Sequence, residues 1–464
     1  IGENSMTNNT SGSQNVAVGQ GTLAANTGGV ANTALGRSAL SANTTASNNT
    51  AVGQQALLSN TTGTNNIAVG VQALEQNTTG GANIAIGKQA LDANTTASNN
   101  TAVGQAALGA NTTGGSNTAF GAFALDANTT GQLNVAIGYN ALTAQNADAY
   151  NTAVGANCME ATTGGSYNVA VGRLAMGLNT NGSNNVAMGY EALKANTTGT
   201  LNVAIGRDAL HDNTTASYNT SIGYNSLAKN TTGAYNTAIG AEALDSNTTA
   251  SANTAVGRMA MTANTTGASN TAVGAYSLDA NTTASNNTAI GFDALGVNTT
   301  GANNTAVGAA ALDANVSGEK NTAVGSNALG ANTASENTSV GYYALSNNTT
   351  GTYNTAMGVQ AMHQTTTSSR GTAVGYFALD NTNTGDRNTA MGFQALTNNT
   401  TGAYNTGIGD AALESNSTGN YNVAVGQAAL AQCTTGEDNT AVGMNAMGEG
   451  VTVGNWNSAL GQNA

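Results

Sequence analysis

Proline is absent from the 464 residues, cysteine occurs twice, tryptophan once and phenylalanine five times, and aromatic side chains make up 4% of the chain. Any core must therefore be built from alanine, valine and leucine. Charge is scarce as well: 7% of residues are charged, against roughly 25% in a typical soluble domain, which excludes an ordinary enzyme domain. Ten basic residues against 23 acidic ones give a net charge of −13. No basic patch is left for a phosphate backbone or an anionic membrane surface, so nucleic acid is not expected as a partner. No apolar run reaches the ~18 residues of a membrane span, and no charged-then-apolar signal stretch opens the chain.

What the chain has in quantity is glycine, 60 residues of it, and a repeat. The string Asn-Thr-Ala-Val-Gly, with Val or Ile in place of Thr and Leu, Ile, Met or Phe in place of Val, begins at Asn15, Asn32, Asn49, Asn66 and Asn83 and continues to Asn439 and Asn457. The unit reads N-T-A-V-G-x-x-A-L-x-A-N-T-T-G-x-x, seventeen residues here called columns 1 to 17. One residue is lost between Asn332 and Asn337 and one is gained between Gly443 and Asn457, and the motif resumes in register after each, as insertions confined to loops allow. Ile1-Gly2 reads as the tail of an earlier copy, so the sequence is expected to be a segment of a longer molecule.

A seventeen-residue unit is too short for a helix-turn-helix repeat, and its Gly, Asn, Thr and Val content opposes helix. The spacing predicts an all-β fold, a parallel β-solenoid (β-roll or β-helix) of 17-residue rungs. One strand is expected from Asn-Thr-Ala-Val-Gly, a second from x-Ala-Leu-x-Ala, and a return through Asn-Thr-Thr-Gly. Residues 1–447 are expected to form one continuous rod of about 26 rungs, and 448–464 an irregular final rung leading to a further domain. At the ~4.8 Å strand spacing the rod would be about 130 Å long.

Each column has an expected task. Gly at column 5, as at Gly19, Gly121 and Gly291, reads as a corner that a Cβ would spoil. Columns 2 and 4 point to one face of the strand and the Ala of column 3 to the other. Both faces are apolar, so one is expected to line the lumen and the other to meet a further surface, most simply an identical chain approaching the small Ala. The few small apolar residues per rung bury too little to order a lone rod. A parallel, in-register homo-oligomer is therefore expected, with three chains. The Asn residues of columns 1 and 12 are expected to form amide ladders or Asx-turns. Charges at column 6 and column 10, as in Lys88, Arg173, Arg207, Asp92, Asp126, Asp245, Asp279 and Asp313, are expected to be solvated.

No catalytic, cofactor-binding or metal-ligating set stands out. His211 and His363 both fall in column 10 but about nine rungs apart, and Cys158 and Cys433 about sixteen, too far for a shared metal or an intrachain disulfide. A calcium-binding nonapeptide pattern is absent. All fourteen Tyr fall at corners, either after the Gly or directly before the opening Asn, and their densest cluster, Tyr342, Tyr343 and Tyr376 with Phe377, is the candidate receptor contact. Packing of the rings over the next rung's corner is the more conservative reading of this fringe.

The unit, seen from Asn49 to Gly63, resembles the repeats of bacteriophage tail fibre proteins that end in an endosialidase-type intramolecular chaperone. More loosely, it is similar to the head repeats of bacterial trimeric autotransporter adhesins. The resemblance spans essentially the whole chain and implies a parallel trimer, an extracellular or virion location, and attachment to a host-surface glycan or protein. A structural and adhesive shaft without catalysis is the expected function. The alternatives are a carbohydrate-degrading tail fibre and a periodic-surface binder such as an ice-binding protein. The second is set back by the placement of the Thr-Thr pair in the loop rather than on a flat strand.

Overall fold

A computed structural model describes residues 1–449 and 453–464. Gly450, Val451 and Thr452, which fall within the stretch expected to be irregular, lie outside the described residues. The fold is all-β, a parallel β-solenoid of about seventeen residues per rung with no helix among the described residues. Two compact units divide it, Ile1–Ala234 and Tyr235–Ala464. The first holds thirteen strands, from β1 (Val16–Val18) to β13 (Thr220–Ile222); the second holds fourteen, from β14 (Thr237–Ile239) to β27 (Ser458–Leu460).

Every strand is three residues long and covers columns 2 to 4, and within each unit it pairs in parallel with its neighbours so that like columns stack: Val16 opposes Thr33, Ala17 opposes Ala34 and Val18 opposes Leu35. The shortened rung keeps this register, with Thr322 opposite Thr338. So does the lengthened one, where Ser458 to Leu460 oppose Thr440 to Val442. A regular strand thus survives inside the 448–464 stretch.

The expected second strand does not form. Along x-Ala-Leu-x-Ala the chain instead alternates the sign of φ: in the rung opened by Asn49, Gln55 has φ 61° and Leu57 φ 52°, with Ala56 between them outside the positive region. The alternation turns every second N–H group along the solenoid axis, while the one between them, that of Ala56, bonds within its own rung to the Gly53 carbonyl. Gln55 N–H donates to the Arg37 carbonyl of the previous rung at 2.9 Å, and Leu57 N–H to the Ala73 carbonyl of the next at 3.0 Å. The second unit repeats this with Gln394 to Tyr376 at 2.9 Å and Leu396 to Ala412 at 2.9 Å. A non-glycine residue in this conformation costs about 1–2 kcal/mol, which the inter-rung hydrogen bonds and the burial of Leu offset. Column 5 is stricter. Gly53 has φ +138°, and a Cβ there would lie 2.3 Å from the Gly70 carbonyl oxygen directly above it, so only glycine fits.

The lumen is filled by the Ala of columns 3 and 8, the Leu of column 9, and the Asn of columns 1 and 12, all buried. The Ala of column 3 therefore faces inward and does not receive a neighbouring chain. Its partner across the lumen is column 8. Where both become serine, Ser221 and Ser226 contact each other through their hydroxyls at 2.5 Å, and where column 3 alone does, Ser339 donates to the Ala344 carbonyl at 2.7 Å.

The two Asn columns brace the rung. Asn49 and Asn60 both donate from Nδ2 to the single carbonyl of Gly63, at 2.9 and 3.0 Å. Each then reaches an adjacent rung: Asn60 Nδ2 donates to Asn43 Oδ1 at 3.1 Å, and Asn49 Oδ1 accepts the backbone N–H of Asn66 at 2.9 Å. Column 12 is an amide ladder; column 1 ties side chain to backbone and in some rungs adds an amide-to-amide bond, as from Asn439 Nδ2 to Asn422 Oδ1 at 3.0 Å.

Candidate functional site

Three surfaces carry the side chains available for recognition. The first is the strand face of columns 2 and 4. Because column 3 points inward, the period-two alternation sends Thr, Val, Ile, Leu, Met and Phe outward in every rung. Val16 is 53% exposed and Phe120 57% in the first unit, and Met357 45% in the second. An apolar stripe repeated in every rung is far more than the scattered apolar residues normal on a soluble surface.

The second is the corner of columns 6 and 7, where the chain leaves the glycine. The four side chains picked out as a receptor contact lie here in two pairs. Tyr342 and Tyr343 meet edge to face with centroids 4.5 Å apart, and Tyr376 and Phe377 do the same at 4.3 Å. Register stacking adds neighbours that sequence reasoning did not name. Tyr376 stacks on Phe393 at 5.5 Å and 8°, and Tyr343 meets the His363 ring at 5.8 Å. The signal was available, since Phe393 lies one rung beyond Tyr376 in the same column.

The same corner in the first unit carries an alternating ladder. Arg173, Tyr190, Arg207 and Tyr224 occupy column 6 of successive rungs, with guanidinium-to-ring distances of 5.6, 5.9 and 5.6 Å. Beside it, column 7 stacks Glu191 under Asp208, and His211 joins them, so that their ligand atoms lie within 4.8 Å of one another. Nε2 of His211 is 3.2 Å from Glu191 Oε2, and Nδ1 is 2.6 Å from Asp212 Oδ1. Two carboxylates and an imidazole suit a divalent cation. Here, however, Lys194 Nζ sits 2.9 Å from Glu191 and Arg207 Nε 3.0 Å from Asp208, so the protein's own cations already neutralise the acids. The Lys194 ammonium, with Tyr190 and His211, holds the Glu191 carboxyl down at about 2.

The third is column 17, just before the opening Asn. Tyr150 stacks on Tyr167 at 5.0 Å and 4°, and Tyr404 on Tyr421 at 4.9 Å and 17°. Arg387 lies over Tyr404 at 5.0 Å. In each pair the two rings cover one face of each other, and Arg387 also donates to the Tyr404 hydroxyl.

Column 10 differs from its expected solvation. Glu75 is only 8% exposed and Asp380 5%, because the column sits on the shoulder beside the buried Leu. Burial, reinforced by the Glu75 charge, pushes the Asp92 carboxyl up to about 6, and burial raises Asp126, Asp279, Asp313 and Asp380 as well. The two cysteines are free and buried, and burial pushes the Cys158 thiol up to about 12, which leaves it inert as a nucleophile. No helix among the described residues is long and apolar enough to cross a membrane. No family model matches the chain, and no curated protein matches it.

Proposed function

We propose that this chain is the shaft of a structural and adhesive fibre, in which three parallel copies associate in register through the outward strand face, and that it works outside the cell, on a virion tail or a bacterial surface, without catalysis. The carrying observation is the apolar stripe of columns 2 and 4. In a lone chain that stripe meets water in every rung, from Val16 and Leu35 to Met357 and Met391. Lateral association would bury it, and because like columns stack, an in-register partner meets the same chemistry at every level. The number three, the extracellular setting and the attachment role rest on the resemblance to tail fibre and autotransporter head repeats. The aromatic corner around Tyr342, Tyr343, Tyr376 and Phe377 is the surface offered to a host-surface glycan or protein.

The mass of the undissociated particle tests the proposal. Three chains are expected, and a monodisperse monomer at micromolar concentration overturns it. A second reading draws on the same face. The Thr of column 2, as in Thr101 and Thr118, stands on the strand and is partly exposed, whereas the first Thr of the loop pair spends its hydroxyl on the next rung, as Thr61 does on the Thr78 carbonyl at 3.0 Å. A regular array of Thr beside Val or Ile on a strand face favours a periodic-surface binder such as an ice-binding protein. Thermal hysteresis of the purified chain would establish it in place of the fibre reading.

A further inference from the structure

Column 10 contains a gap. It is occupied in most rungs by a side chain that packs along the shoulder, such as Glu75, Lys194 or His211. Where glycine takes the position elsewhere, a carboxylate or an apolar side chain closes the space: a Cβ added at Gly109 would lie 2.8 Å from the Asp126 carboxylate, one at Gly296 2.0 Å from that of Asp293, and one at Gly177 3.2 Å from the Leu174 carbonyl oxygen and 3.5 Å from its Cδ2. Gly330 is different. The nearest atoms to its added Cβ are the Asn327 carbonyl oxygen at 3.4 Å and Asp313 Oδ1 at 3.5 Å, ordinary contact distances. The result is a shallow depression, wide open to solvent, of about 350 Å³, edged by Asp313, Asn327, Tyr343, Ser346 and Asn347 around Gly330.

The lining has a definite chemistry. Tyr343 supplies an aromatic wall, Asp313 a carboxyl, Asn327 and Asn347 side-chain amides, and no Lys or Arg lines the space. Ser346, 5% exposed, forms part of the recess, and its buried hydroxyl has no hydrogen-bond partner. A buried hydroxyl left unpaired is unfavourable, so a ligand hydroxyl reached by a turn of the Ser346 side chain would relieve it. Convergent polar groups beside one ring are what fix the orientation of a small ligand in a pocket. A ring bearing C–H groups on one face and hydroxyls at its rim meets all of these features, and the absence of a cation beside Asp313 disfavours an anionic ligand.

We propose that the recess around Gly330 binds one neutral hexose unit of a glycan, its C–H face against Tyr343 and its hydroxyls on Asp313, Asn327, Asn347 and Ser346. This assignment rests on the adhesive reading above and gives it a ligand class. The test is saturation-transfer difference NMR on the whole chain with glucose, galactose, mannose and N-acetylglucosamine, and with N-acetylneuraminate as the anionic probe. At least one neutral sugar should receive saturation and the anionic one none. Gly330→Gln fills the recess without demanding an unusual φ and should weaken binding about tenfold or more, and Tyr343→Ala should do the same. Circular dichroism and particle mass, unchanged in Gly330→Gln, show that the variant is folded and assembled. No saturation of any neutral sugar, binding of N-acetylneuraminate alone, or undiminished binding by Gly330→Gln each overturns the assignment. The particle mass reports separately on the fibre: a trimer that binds no sugar refutes the recess alone.

Discussion

At the scale of single residues, the Asn of column 12 shows what one side chain contributes. In a complete rung its Nδ2 serves the column 15 carbonyl and the amide oxygen of the rung before, as Asn196 does with Gly199 at 3.0 Å and Asn179 at 2.8 Å. Where the column changes residue type, the ladder ends on a buried orphan. Asn128 precedes Gln145, Asn348 precedes Thr365 and Asn416 precedes Cys433, and in each of the three Asn the Oδ1 is buried without a partner. Two opposite outcomes follow. Asn196→Ala strands the buried Asn179 amide oxygen, whereas the Gly199 carbonyl keeps its bond from Asn185 Nδ2 at 2.9 Å, and the substitution should destabilise by about 1–3 kcal/mol. Cys433→Asn extends the ladder from Asn416 and should stabilise by about 1 kcal/mol, since an acceptor already desolvated gains its donor; chemical denaturation of each variant measures both. The column 10 acids give a pH dependence of definite sign. A carboxyl whose folded value is raised, as Asp92 is from 3.8 to about 6, keeps its proton in the folded chain after the unfolded chain has released it. Its contribution to stability is full below the unfolded value and is lost as pH climbs through the folded one. Glu191, held down at about 2, acts oppositely, its contribution being lost only as pH falls from its ordinary 4.5 toward 2. The melting temperature should therefore fall between pH 4.5 and 7, and Asp92→Asn should shrink that fall.

At the scale of the element, the rung is held by the circuit of hydrogen bonds and not by its three-residue strand alone. Gly189 has φ +141°, and a Cβ there would lie 2.3 Å from the Gly206 carbonyl oxygen, whereas Leu193 fills the lumen with a side chain wholly buried. Leu193→Ala opens a cavity and should cost about 2–5 kcal/mol. Gly189→Ala forces rungs apart at a corner with no flexible atom to yield, and should cost more. Because each rung contacts only its neighbours, hydrogen exchange should show the loss of protection in Gly189→Ala concentrated in the strands Val169–Val171, Val186–Met188 and Val203–Ile205. Loss spread evenly over the first unit would show that the rungs are not independent. Much of this element was legible in the sequence: the period, the strand at columns 2 to 4 and the glycine corner follow from the spacing of Asn49, Ala51 and Gly53. The second strand was not, because x-Ala-Leu-x-Ala has the apolar content of a strand, and only inter-rung hydrogen bonding selects the alternating φ that Gln55 and Leu57 adopt. The inward Ala was not legible either, since alternation groups columns 2 and 4 together without saying which side is the lumen. At the candidate site, Tyr342 and Tyr376 could be placed on one corner by column counting alone. The recess at Gly330 could not, because it depends on which neighbouring side chains reach the space that a missing one leaves.

At the scale of the whole molecule, the question is what covers the outward strand face. Phe120 and Met188 lie on it in column 4 of the first unit, are exposed, and make no lumen contact that a substitution could break. Phe120→Asp with Met188→Asp should therefore leave each chain folded while placing a carboxylate into the proposed interface. A charge buried there without a partner costs far more than the two side chains contribute to the solenoid itself. If three chains join through this face, the particle mass of the double variant should fall toward that of one chain at low concentration while its β-type circular dichroism persists. The wild-type melting temperature should rise with protein concentration, as mass action requires of an assembly that unfolds to separate chains, and the slope should be smaller in the variant. A control on another surface, Tyr150→Asp in column 17, should leave the mass unchanged. An unaltered mass in the double variant would move the contact away from columns 2 and 4, and the column 17 fringe, where Tyr150 stacks on Tyr167, would be the next face to test.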